Sequence, residues 1–271
     1  MRYVIINADD FGLSPGCNQG IAAAMAAGTV TDTTIFANSA HTGSGVAALR
    51  SVGVNAAGLH LNLTWGKPVL APRAVSSLVG PDGNFRRTAK DSPAGIDPAE
   101  AEAEWRAQIE RFMALGLSLT HFDSHHHVHA HSPLLAVAIK LAREYGVPLR
   151  QTGEAVRKEI LAAGVKTTDR FCGDFYGPGA TLETLAGVIG SHHEGVLEIM
   201  CHPAQPDGLL LKISSYSRWR LQELQILTSR ELRDLLAHSG VELIGFAMLR
   251  DFGIWKGKAA ERLEGTFGVL T

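Results

Sequence analysis

The sequence is short of several things, and each shortage narrows the reading. Cysteine is scarce: Cys17, Cys172 and Cys201 are the only three, widely spaced and without a CxxC pair. Such a set offers no disulfide framework and no thiolate metal site, and it suits a reducing compartment. Neither sign of charge is in excess, 25 basic residues standing against 27 acidic for a net charge of -2. That balance supplies no basic footprint for nucleic acid or for an anionic membrane surface. Long apolar runs are missing as well, since none reaches the roughly 18 residues that a bilayer-spanning helix needs. GxGxxG and GxxxxGK[ST] are absent, which removes the common phosphate-cradling loops. The chain passes from Met1-Arg2 straight into an apolar strand, leaving no room for a signal peptide, so the expected location is cytoplasmic.

What is present is a regular alternation. "YVIINA" reads as a strand, "CNQGIAAAMAAG" as a helix, "TDTTIFAN" as a strand, "GSGVAALRSVG" as a short helix and "AAGLHLNL" as a third strand. From Trp65 to Pro98 the chain is rich in Pro and Gly, a long excursion of the kind that is usually functional inside a compact domain. Asp97 as cap, Pro98 at the first helical position and acids in the first turn open the helix "DPAEAEAEWRAQIERFMALG". "LSLTHFDS" is strand-like and "SPLLAVAIKLAREYG" helical; "VPLRQ", "RFCGDF" and "GVLEIMC" read as short strands. Thr228 to Glu231 matches a capping box before "RELRDLLAHSG", and "VELIGFAM" reads as the last strand. Alternating strands and helices imply a parallel sheet. About seven or eight such units favour a distorted (β/α) barrel over an open doubly wound sheet. One domain spans residues 1–271, with insertions near 65–97 and 204–219.

In parallel barrels the chemistry gathers where strands end. The first strand ends in Asn7, Asp9 and Asp10, the third carries His60 and Asn62, "LTHFDS" runs into "HHHVHAH", and "LEIMC" ends at His202. Carboxylates and neutral imidazoles are suitable donors for a divalent metal. A dication at that rim would keep the adjacent Asp9 and Asp10 both ionised, which like charges otherwise oppose. Each piece has a plainer reading: Asp-Asp as a turn and helix cap, His60 as a hydrogen-bonded core residue, and His202 as the end of a strand before Pro203. Their coincidence at strand ends is what carries the argument. A strand period of two puts His121, Asp123 and His125 on one face. Asp123, between two histidines, suits a role accepting a spare imidazole N–H. The residues alone do not choose among His121, His125 and His127 as ligands. Adjacent Asp9 and Asp10 on a regular strand project to opposite sides, a poor start for the flanking carboxylate pair of a glycosidase.

The stretches "NADDFGLS", "GLHLNLTWGKP", "THFDSHHHVH" and "EIMCHPA" closely resemble, in order and spacing, the YdjC-like (ChbG-type) carbohydrate deacetylases. The resemblance runs from near Met1 past Pro203 and extends to a hopanoid-associated branch acting on lipid-linked amino sugars. It implies a distorted (β/α) barrel related to polysaccharide deacetylases, a divalent metal, and hydrolysis of an N-acetyl group from an amino sugar. Carried over by position, the ligands fall on Asp10, His60 and His125, and the catalytic base on Asp9. His202 matches the general acid by analogy with the wider superfamily. In NodB-like relatives both ligand histidines come from one HxxxH, a spacing that His121 and His125 also have, so His121 stands as the alternative ligand beside Asp123 and His127. For the ion, two imidazoles and a carboxylate suit Zn²⁺ or Co²⁺, and the resemblance adds Mg²⁺. Arg150 and Tyr176 are the expected substrate contacts, with Trp65 and Tyr216 as further aromatic candidates. "GLLLK" at Gly208–Lys212 reads as a lid, an oligomer contact or a patch for a lipid-linked sugar. The substrate is then an N-acetylglucosamine-containing oligosaccharide or lipid-linked sugar, and a homodimer is the default assembly. The competing readings are metal-dependent hydrolysis of another amide or a phosphoester, and a sugar-binding barrel without turnover.

Overall fold

In the computed structural model, which describes residues 1–86 and 95–251, seven strands alternate with ten α-helices. The first half runs β1 (Arg2–Phe11), α1 (Pro15–Ala26), β2 (Asp32–Ile35), α2 (Thr42–Ser51), β3 (Ala56–Leu61), α3 (Pro98–Met113), β4 (Ser118–Ser124) and α4 (Leu134–Tyr145). The second half runs α5 (Glu154–Ala162), β5 (Arg170–Cys172), α6 (Leu182–Gly190), β6 (Gly195–Cys201), α7 (Leu210–Ile213), α8 (Arg218–Leu227), α9 (Arg230–His238), β7 (Glu242–Leu243) and α10 (Phe246–Asp251).

Local chemistry accounts for the main elements. β1 is buried from Val4 through Phe11, as a central strand covered on both faces must be. α3 begins where Asp97 accepts the Ala99 N–H, with Pro98 in its first turn. Its Ala101, Trp105, Ile109 and Phe112 recur at helical spacing and are all buried in the main core. Each of the larger three contributes about 1.5–3 kcal/mol of burial.

All strand pairs are parallel, in the order β4-β3-β2-β1-β6-β5, and β7 pairs with the start of β1. Beyond β4, Phe122 bridges to Leu149, and Leu149 N–H donates to the Lys166 carbonyl at 3.0 Å. That connection leads the outer edge round towards β5, and the sheet curls into the expected distorted barrel. The C-terminal ends of β1, β3, β4 and β6 therefore share one rim. At the other end Asp32 accepts the Phe246 N–H at 2.9 Å, and the Phe246 ring stacks on His121 with centroids 3.7 Å apart.

Several elements differ from expectation. "VELIGFAM" holds only the two-residue β7, because Asp32 caps the chain at Phe246 and starts α10. "VPLRQ" contributes one bridge and not a strand. The cap of α9 is Ser229, which accepts the Leu232 N–H, one residue later than the Thr228 of the capping box. α5, α6 and α8 were not expected. Within the 65–97 excursion Val75, Leu78, Val79 and Phe85 join the core, and Glu104 of α3 accepts the Val69 and Leu70 N–H groups; residues 87–94 lie outside the described residues. The three cysteines are buried and unpaired. Among the described residues no helix is long and apolar enough to cross a membrane.

Candidate active site

The site begins with an irregularity in β1. Ala8 pairs with Thr33 and Phe11 with Ile35, so the register shifts across Asp9 and Asp10. Asp10 adopts φ 70°, in the left-handed region that side chains other than Gly seldom occupy. Because of this bulge both carboxylates line one cavity of about 840 Å³, correcting the expectation that they point to opposite sides. His126 and His127, with φ 55° and 53°, line the same cavity. These three are the only non-glycine residues with positive φ among those described. Backbone strain of this kind costs about 1–3 kcal/mol per residue and tends to collect at functional sites.

Around Asp10 two imidazoles converge. Asp10 Oδ1 lies 3.3 Å from His60 Nε2 and 3.2 Å from His125 Nδ1. Phe36 packs edge-on against both imidazoles, with centroids 4.9 Å and 5.0 Å away, and fixes the ring planes. His60 turns its other nitrogen, Nδ1, to Asp123 Oδ1 at 2.7 Å, and Asp123 Oδ2 also accepts from Thr34. Asp123 thus serves His60, not His121 or His125, in the arrangement that orients a ligating imidazole. Asp10 Oδ1 has no hydrogen-bond partner although it is buried, so this donor set fits a divalent cation. Burial opposes a proton on His60, but Asp123, Asp10 and Asp9 outweigh it and raise the imidazole to about 10.

Asp9 has a different environment. Arg150 forks onto it, Nη1 to Oδ2 at 2.6 Å and Nη2 to Oδ1 at 2.8 Å, and Asn7 donates to Oδ1 at 2.7 Å. A carboxylate offers about four acceptor positions, so one remains, on Oδ2. The same guanidinium reaches Asp123 at 2.8 Å and Glu198 at 2.6 Å. Arg150 is fully buried beneath the cavity and not on its wall, which corrects its assignment as a substrate contact. Burial pushes the Asp9 carboxyl up, and the Arg150 fork overrides it and holds Asp9 well below the usual range. Asp9, His60 and Asp123 also form a group of metal-type donors. There, however, the guanidinium already supplies the cation.

The other wall comes from β6 and α8. Ala8 pairs with Cys201, so Asp9 and His202 follow on neighbouring strands. The His202 N–H donates to Glu223, and the Tyr216 hydroxyl donates to the other oxygen of the same carboxylate. Burial lowers His202 to about 4, against the pull of Asp10 and Asp9. One turn before Glu223, Arg220 Nη2 meets Asp10 Oδ2 at 2.5 Å, and its Nε donates to the Tyr216 carbonyl at 2.7 Å. The Tyr216 ring is stacked on Tyr176, centroids 4.0 Å apart and 6° from parallel, and Tyr176 is 46% exposed on the cavity wall.

Of the remaining candidates, His127 lines the cavity but is not part of the Asp10 group. His121 is buried against Phe246 and bonded to Thr120 Oγ1 at 2.8 Å, away from Asp10; a Cβ at Gly58 would collide with its ring. This removes His121 as the alternative ligand. Of the "GLLLK" leucines, Leu210 is buried and Leu211 is 62% exposed at the cavity. Arg220 and Glu223 were missed. They lie beside the stretch read as an insertion, and three-residue spacing on a polar helix carries no signal of its own.

The model of the family described as YdjC-like protein matches residues 3–238. This chain belongs to the YdjC-like family. A relative from Brevibacillus brevis named carbohydrate deacetylase is 40% identical over 250 residues, covering 91% of this chain and 99% of the relative. A crystal structure from Enterococcus faecalis, described as a candidate cellobiose-phosphate cleavage protein, is 36% identical with a TM-score of 0.86; the match covers 92% of this chain and 99% of that one. A family 4 carbohydrate esterase from Streptomyces lividans, solved with acetate, shares the fold at 14% identity and a TM-score of 0.52, over 89% of this chain and 90% of that one. The YdjC-like assignment agrees with the motifs read from the sequence.

Proposed function

We propose that this chain is a carbohydrate deacetylase that uses a divalent metal to remove an N-acetyl group from an amino sugar. One observation carries the reading: neighbouring carboxylates face one cavity in two different states. Asp10 turns one oxygen to two imidazoles without a hydrogen bond to either, while Asp9 is held apart by Arg150. The carbohydrate deacetylase relative supports the substrate class.

In this mechanism Asp10, His60 and His125 hold the ion. When bound, it polarises the acyl carbonyl and acidifies a water. Asp9, through its remaining acceptor position, takes the proton of the attacking water as general base. Arg150 keeps Asp9 in place and ionised. The resting His202 is neutral at pH 7, so it acts as the acid only after gaining a proton, and the one Asp9 removes is available on the neighbouring strand. Glu223 holds the His202 backbone, which sets the direction from which that proton reaches the departing amine. The exposed face of Tyr176 provides an apolar platform for a sugar ring. Zn²⁺ and Co²⁺ suit the donor set, and Mg²⁺ suits the family resemblance.

The test is acetate release from N,N′-diacetylchitobiose and N-acetylglucosamine by protein stripped of metal and restored with Zn²⁺, Co²⁺ or Mg²⁺. The expected result is acetate only after restoration. Release without metal, or none from metal-loaded protein on any acetylated amino sugar, contradicts the proposal.

A further inference from the structure

Arg220 is nearly buried, at 4% exposure, yet it lines the cavity. Two of its three nitrogens are committed, Nη2 to Asp10 Oδ2 and Nε to the Tyr216 carbonyl. The third, Nη1, is buried and has no hydrogen-bond partner among the described residues. A buried guanidinium N–H without an acceptor is costly, and such groups normally meet a partner when the site is filled. The bonds to Asp10 and Tyr216 fix the plane of the guanidinium, so the direction of Nη1 is set before anything binds. The Nη2 bond to Asp10 Oδ2 brings the guanidinium across the cavity to the carboxylate whose Oδ1 is approached by His60 and His125.

We propose that Arg220 is a catalytic residue whose Nη1 donates to the acyl oxygen of the substrate, and to a carboxylate oxygen of acetate after hydrolysis. This inference rests on the deacetylase reading and adds a donor to it. Charge builds on that oxygen as the carbonyl is attacked, and a fixed donor aimed there stabilises the transition state more than the bound substrate. A second consequence concerns Asp10. With Oδ2 held by Nη2, the carboxylate presents a single oxygen to the cation. One guanidinium therefore restricts the ligand and serves the reacting group, two tasks that its fork of donors allows and that a lysine ammonium cannot perform together at this spacing.

The experiment compares wild type with R220K and R220Q in three readouts: metal affinity by titration, acetate affinity of the metal-loaded protein by calorimetry, and kcat against KM. In R220K the ammonium keeps its pairing with Asp10, so metal affinity stays within about threefold. Acetate affinity falls about tenfold, and kcat falls about 100-fold with a smaller change in KM, the scale of losing one such donor. R220Q loses metal affinity as well as both other quantities. Unchanged acetate affinity and kcat in R220K overturn the proposal. So does a loss of metal affinity in R220K as large as its loss of kcat, which would make the arginine only a support for Asp10. If metal-loaded wild type hydrolyses no acetylated sugar, the proposed function fails, and the acetate titration alone decides the role of Arg220. Acetate held by wild type and released tenfold more readily by R220K supports it; equal or absent binding in both overturns it.

Discussion

Two clusters of ligand-type side chains share His60 and differ by one residue class: Asp10 with His60 and His125, and Asp9 with His60 and Asp123. They differ in what the protein has already placed among them. In the deeper group the Arg150 guanidinium pairs with both oxygens of Asp9, one of Asp123 and one of Glu198. In the upper group Arg220 takes one oxygen of Asp10 and leaves the other without a hydrogen bond. A cluster of ligand-type residues is thus a metal site only where charge and lone pairs are left over. The adjacent aspartates fall on either side of that division.

The largest effects are expected at the aspartates themselves. Asp10→Asn is expected to abolish detectable metal binding and turnover together. Asp9→Asn is expected to leave metal affinity within a few-fold while turnover falls about 10³-fold, the scale of a lost general base. Metal titration beside acetate release checks both, and equal effects on metal binding would erase the distinction.

Arg150→Met tests the deeper group as a unit of stability. It strands Asp9, Asp123 and Glu198 in the interior without their cation, and the expected destabilisation is about 3–5 kcal/mol, read by chemical denaturation. A loss below about 1 kcal/mol would mean that the guanidinium is not what holds these acids.

Asp123 sharpens the link between the groups. Asp123→Asn removes the charged acceptor behind His60 and is expected to weaken metal affinity about 10–100-fold, as second-layer partners of ligating histidines do. Unaltered affinity would show that His60 is oriented without that charge, by Thr34 Oγ1 3.1 Å from its Nδ1 and by packing against Phe36.

The smallest effect is a proton count. With His60 raised to about 10, the metal-free site carries a proton that a ligand imidazole cannot keep. Metal loading at pH 8 is then expected to release about one proton, with affinity falling about tenfold per pH unit below 10. In the metal-free fold the same shift has the opposite sense: its stabilisation is full below the ordinary histidine value and is lost as pH rises through about 10. Calorimetry in buffers of different ionisation enthalpy gives the proton count, and zero release contradicts the assignment.

Much of the upper group was legible because its members sit in contiguous motifs at strand ends. "NADDF", "GLHLNL" and "THFDSH" each carry both the strand pattern and the donor. The division between Asp9 and Asp10 was not legible. Regular alternation sends neighbours to opposite faces, and nothing in "NADDFG" announces a bulge that lets both face the cavity. The compensating cations were equally hidden: Arg150 pairs with Asp9 across 141 residues and Arg220 with Asp10 across 210. Arg150 ends a segment with one bridge in place of a strand, so its depth could not be read from local periodicity. His121 had the ligand spacing but belongs to a deeper layer, where Gly58 makes room for its ring.

The division between the two aspartates is read out by an anomalous difference map from crystals of this protein soaked in Co²⁺ or Zn²⁺. One strong peak is expected, bounded by Asp10, His60 and His125, with Arg150 still on Asp9. A peak bounded by Asp9, His60 and Asp123, with Arg150 displaced, or no peak at either group, would contradict that division.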